Sequence, residues 1–123
     1  MKTVFFSLLF VIFFSCSTDP PTSSQFHGTW SGTYGGTTGE NGTWIVSINS
    51  NGIVTGTATS LVFSQTYMIN GTVSSNGTFY ATSGSSSSGA TFNGTLINTV
   101  GTGTWINNIT PTTYSGTWSG NKH

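Results

Sequence analysis

All four tryptophans of the chain occur in one phrase, Gly-Thr-Trp, at 28–30, 42–44, 103–105 and 116–118. Aromatic and β-branched residues suit a pleated surface, and alternation sends successive side chains to opposite faces, so the phrase reads as strand. The same alternation, broken by Gly and Asn, predicts strands at Phe26–Tyr34, Gly42–Ile48, Ile53–Ser60, Thr66–Val73, Thr78–Thr82, Ala90–Ile97, Val100–Ile106 and Thr113–Ser119. No segment after the leader carries a helical period. The phrases are unevenly spaced, so no solenoid repeat emerges. An antiparallel meander fits.

Taking every second residue separates two faces. One gathers Phe26, Trp30 and Tyr34, then Trp44, Val46 and Ile48, and continues around the chain to Trp105, Tyr114 and Trp118. Inward glycines such as Gly32, Gly56, Gly71, Gly94 and Gly103 alternate with these apolar residues, while the other face is mostly Thr, Ser and Asn. A small, tightly curved barrel needs this mixture, since glycine permits the bend and leaves room for the ring opposite. The expected fold is all-β, an eight-stranded antiparallel up-and-down barrel, wide enough to be filled by side chains or to hold one small ligand.

Connection lengths orient that barrel. The links Asn49–Gly52, Ser74–Gly77 and Asn98-Thr99 are short, and Asn51-Gly52 and Asn76-Gly77 are strong hairpin-turn dipeptides. The alternate links, Gly35–Asn41, Leu61–Gln65, Ser83–Gly89 and Asn107–Thr112, are longer. In a meander, alternate links share an end. All long loops therefore form one rim, and both chain ends fall at the other. The inner face near the rim holds Tyr34, Trp44, Tyr67, Trp105 and Tyr114, and the rim loop Leu61-Val62-Phe63 adds three large apolar side chains. Tyr34, Trp44, Phe63, Tyr67, Trp105 and Tyr114 are the candidate ligand-binding residues, able to stack on a sugar or enclose a small apolar molecule. The same rings can equally plug the barrel and keep water from its core.

The first residues describe a leader. Lys2 precedes the apolar run Val4–Phe14, followed by Ser15-Cys16-Ser17. A positive start, a short apolar stretch and small residues at its end mark a secretory signal rather than a membrane span of ~20 residues. Cys16 is the only cysteine, so the mature chain has no disulfide or thiolate metal site. Ser17–Gln25 is polar and proline-bearing, a spacer reaching no further than ~30 Å. The organisation expected is a signal peptide at 1–15, a tether at 16–25 and the β domain at 26–123.

Charge excludes whole classes of partner. The chain holds two Lys, no Arg, and only Asp19 and Glu40 as acids. Phosphate backbones and anionic lipid surfaces need clusters of cations, so nucleic acid and electrostatic membrane binding are excluded. General acid–base or nucleophilic catalysis needs titratable groups that converge. Here Asp19 falls in the tether, Glu40 on a long loop, and His27 and His123 at the closed end. No catalytic set, metal site or cofactor is expected.

Two resemblances add to this reading. Phe13-Phe14-Ser15-Cys16 resembles the lipobox of bacterial lipoproteins, which implies diacylglycerol on Cys16, further acylation such as palmitate, and anchorage in the cell envelope, on the outer membrane. Ordinary signal cleavage after Ser17 would instead release a soluble secreted protein. The domain is similar to lipocalin and avidin-like barrels and to small barrel lipoproteins of Bacteroidetes-type bacteria. That resemblance rests on Gly28-Thr29-Trp30, on Val54-Thr55-Gly56-Thr57 and on Tyr67-Met68-Ile69-Asn70-Gly71. It implies the barrel, and no particular ligand comes with it. The function expected is non-enzymatic binding of a small molecule or glycan at the open rim of an envelope lipoprotein. The alternative is a structural or adhesive envelope barrel with a packed interior. Interior volume separates the two.

Overall fold

A computed structural model of the chain describes residues 24–36, 39–84, 89–107 and 113–123. The leader, Cys16 and most of the tether lie outside the described residues. Eight strands follow one another: β1 (Gly28–Gly36), β2 (Asn41–Ile48), β3 (Ile53–Ser60), β4 (Gln65–Val73), β5 (Thr78–Ser83), β6 (Ala90–Ile97), β7 (Val100–Asn107) and β8 (Tyr114–Lys122). Each pairs antiparallel with its sequence neighbour, and β1 also pairs with β8, Tyr34 opposite Trp118 and Trp30 opposite Lys122. The sheet closes into an up-and-down barrel, as the alternation predicted. Closure leaves no unpaired edge strand, which suits a chain with almost no charge to guard one.

Two of the closed-end turns follow from the Asn-Gly dipeptides. In the β2–β3 link Gly52 donates to the Asn49 carbonyl at 3.0 Å and takes φ 81°, a conformation open to glycine but strained for other residues. Gly77 repeats this at φ 93° in the β4–β5 link, donating to the Ser74 carbonyl at 3.0 Å. Asn51 and Asn76 keep negative φ, so each link is a turn closed by one left-handed glycine rather than by two left-handed residues. At the shortest link, Asn98 itself adopts φ 55°.

The inward face is the one the alternation assigned, with Trp30, Val46, Ile48, Val54, Ile69 and Leu96 among its buried members. Each indole N–H reaches a backbone carbonyl: Trp30 to Phe26 at 2.8 Å, Trp44 to Thr33 at 3.3 Å, Trp105 to Gly35 at 3.1 Å and Trp118 to Asn93 at 3.2 Å. Burying four tryptophans therefore strands no donor. Close approach of ring to backbone is what the glycines allow. A Cβ on Gly103 would lie 2.6 Å from Trp118 Nε1, closer than real packing tolerates.

Phe26 departs from the predicted strand. β1 begins at Gly28, and Phe26 lies outside the ladder, 3 % exposed, across the closed end. Its segment is tied to the closed-end turns: Ser24 N–H donates to the Ser50 carbonyl at 2.7 Å, and the Gln25 side chain donates to the Ser75 carbonyl at 3.2 Å. The Lys122 ammonium donates to the Gln25 carbonyl from the end of β8. Phe26 is thus a plug at the bottom of the barrel rather than a strand residue.

Candidate functional site

Among the described residues, side chains leave the opposite end unfilled. Beneath the long loops lies a cavity of about 420 Å³, within the range of small-molecule sites. Its aromatic walls, among the described residues, are Tyr34 on β1, Tyr67 on β4, Phe92 on β6 and Trp105 on β7. Ala58, Ser83, Gly84, Gly89 and Ala90 supply small surfaces, and these small residues are why the space exists. Tyr34 and Trp105 meet edge to face, ring centroids 5.4 Å apart, which fixes both planes. Below this level the barrel is packed. Trp44, Val46, Ile69, Phe79, Phe92 and Trp118 enclose a void of only about 20 Å³.

Strand lengths locate the opening. The β4–β5 ladder runs from Val73 opposite Phe79 to Asn70 opposite Thr82, and β5 ends at Ser83 while β4 extends to Gln65. The cavity reaches Thr66 and Met68 along this uncovered stretch of β4. From the loop that leads into β4, Phe63 meets Tyr114 at the start of β8, edge-on with centroids 6.0 Å apart. These elements stand on opposite sides of the closed barrel, so the pair spans part of the mouth. Leu61 and Val62 beside it are exposed.

The polar centre of the site is Glu40, on the link between β1 and β2. It is 6 % exposed and forms part of the cavity wall. Its Oε1 accepts from Ser60 Oγ at 2.8 Å and from the Asn41 N–H at 2.8 Å. Ser60 Oγ in turn accepts from the Phe63 N–H at 3.0 Å, and Leu61 N–H donates to the Asn41 carbonyl at 2.9 Å. One carboxylate and one hydroxyl thereby pin two rim loops together. The field of Glu40 is felt nearby. Burial, reinforced by the Glu40 charge, pushes the Tyr34 hydroxyl up to about 12, and the same two causes raise Tyr67. Tyr67 donates its hydroxyl proton to Gln65 Oε1 at 2.8 Å.

Of the residues singled out in the sequence, Tyr34, Tyr67 and Trp105 come together on the cavity wall. Phe63 and Tyr114 pair with each other above it. Trp44 lies lower, edge-on to Trp118 with centroids 5.6 Å apart, and belongs to the packed floor. Cys16 lies outside the described residues. Glu40, Ser60 and Phe92 carry no ligand role in the sequence reading. The available signal for Glu40 was that a domain almost free of charge holds a single acid. His123 joins Ser31 through its ring, and its N–H donates to the Thr29 carbonyl, away from the mouth. Among the described residues no three of His, Cys, Asp and Glu gather as metal ligands would.

No protein-family model, curated protein or solved structure matches the chain.

Proposed function

We propose that this chain is a non-enzymatic envelope lipoprotein, held by lipid on Cys16, whose barrel binds a small molecule or glycan unit at its rim. The observation that carries the binding reading is the cavity of about 420 Å³ at the long-loop end, above a floor of Trp44, Phe79 and Trp118 whose void is only about 20 Å³. A structural barrel would gain stability by filling that space, because unfilled volume forfeits dispersion contacts. Aromatic walls with few polar groups suit an apolar or sugar-like body. The histidines at the closed end offer no base to the mouth, which favours binding over chemistry. The described chain begins at Ser24 and ends at His123, both opposite the mouth, so a lipid on Cys16 would hold the plugged end toward the membrane and present the cavity outward.

Tyr67→Ala tests the site. Tyr67 is partly exposed at the rim, so its removal is expected to lower stability by about 1 kcal/mol or less. It strips an aromatic wall from the cavity. The wild type and the variant are titrated with a panel of glycans and small hydrophobes, followed by tryptophan fluorescence, which Trp105 on the wall reports. Binding by wild type with a weaker response in the variant supports the reading. A panel without a single binder removes it.

Cys16→Ala tests the anchor independently. The variant is expected to move from membrane to soluble fractions in envelope fractionation of expressing cells. A mature wild-type protein beginning at Thr18 without lipid would replace the anchor with ordinary secretion.

A further inference from the structure

Glu40 stands in the cavity wall as a buried acid with only neutral partners. Burying a carboxylate is costly unless charge or hydrogen bonds compensate it. Here the compensation comes from the Ser60 hydroxyl and the Asn41 N–H, both on Oε1, with the Tyr34 hydroxyl also hydrogen-bonding the carboxylate. The only Lys or Arg among the described residues, Lys122, is at the plugged end, engaged with the Gln25 carbonyl. The mouth therefore carries a negative charge that no Lys or Arg of the described barrel answers. Tyr34, Tyr67, Phe92 and Trp105 surround the same space with ring faces and edges. Aromatic faces attract cations, and the attraction strengthens where water is excluded. Burial is the main cause that raises the Tyr34 hydroxyl, and the Glu40 charge adds to it.

Resting on the binding function proposed above, we infer that the ligand is an organic cation: an ammonium group against Glu40, with a compact apolar body between the rings. The cavity volume fits such a molecule and the lining fits both its parts. An anion would meet the Glu40 charge without a counter-ion. A neutral isostere would keep the ring contacts and lose the ion pair. Glu40 has a second task, joining the β1–β2 and β3–β4 links through Ser60, so the test must separate charge recognition from loop anchoring.

Three probes of matched shape do this on the full wild-type chain: cyclohexylammonium, cyclohexanol and cyclohexanecarboxylate, titrated at neutral pH by calorimetry and tryptophan fluorescence. Cyclohexylammonium is expected to bind at least about tenfold tighter than cyclohexanol, with the carboxylate weakest. In Glu40→Gln the amide oxygen can still accept from Ser60 and Asn41, so the loops stay joined. The preference for the cation should then shrink to about twofold or less. Equal or tighter binding of cyclohexanol by wild type overturns the inference, as does a preference that survives Glu40→Gln. If that variant does not fold, the charge ranking on wild type decides alone. Silence toward all three probes also overturns the inference. The binding function itself then stands or falls on the glycan and hydrophobe panel, so the two failures remain distinguishable.

Discussion

Trp118→Ala is expected to cost about 3–5 kcal/mol of unfolding free energy, the usual penalty for emptying a large buried aromatic site. The ring lies in the packed floor with its centroid 5.1 Å from that of Phe79 and 5.6 Å from that of Trp44. Its edges run over Gly94 and Gly103, where any Cβ would collide with it, and lie close against Gly101. Those glycines cannot refill the space, and the closed ladder on either side holds their backbones in place. The site therefore has little means of collapse, which puts the cost high in its range. A domain of this size should lose at least about 12 °C in midpoint temperature. Urea unfolding followed by circular dichroism measures it. A loss near 1 kcal/mol would mean that the ring is loosely held and that glycine and aromatic residues are not interlocked.

That interlocking explains why so much of the barrel was legible in the sequence. Period-2 alternation fixes which face is inward, and a one-residue slip would turn every ring to solvent. Six of the eight strands consequently fall within a residue of their predicted ends; β1 and β8 do not. At β1 the alternation is the cause of the error. Phe26 has the same parity as Trp30, so periodicity cannot tell a strand residue from a plug that follows it in phase. β8 runs on to Lys122 because the Lys122 N–H finds the Thr99 carbonyl, a tertiary partner that no local pattern announces.

The site was less legible, and the reason is height along the barrel rather than face. Tyr34 and Trp44 share the inner surface, but the register sets Gly42 opposite Tyr34 and Gly32 opposite Trp44. Two residues of offset separate cavity wall from packed floor. Alternation carries no information about that offset, which depends on the stagger of all eight strands around the closure. The cavity itself comes from small residues, Ala58, Ser83 and Ala90, whose significance appears only when they share one level. Glu40 lies outside the strand pattern altogether. Its partner across the rim is Ser60 at the end of β3, twenty residues away, and spacing in sequence does not encode that meeting.

Phe26→Ala should destabilise the fold by about 3 kcal/mol while leaving the mouth unchanged. The side chain is almost fully buried and its ring centroid stands 6.4 Å from that of Trp30. Its carbonyl accepts the Trp30 indole N–H, a bond the substitution retains because it is made by the backbone. The cost belongs at the low end for Phe to Ala, since the segment 24–27 borders solvent and can settle inward more readily than a ladder strand. What distinguishes this site from Trp118 is distance from function. Phe26 closes the end where the described chain begins at Ser24 and ends at His123, whereas Tyr34, Tyr67 and Trp105 line the other. The expected result is a lower midpoint in urea together with ligand affinity equal to wild type under conditions where both are folded. Tyr67→Ala should show the opposite pattern, with stability kept and affinity lost. If Phe26→Ala weakens binding as much as Tyr67→Ala does, the two ends of the barrel are coupled through its core, and the division into a packed closed half and an open binding half is wrong.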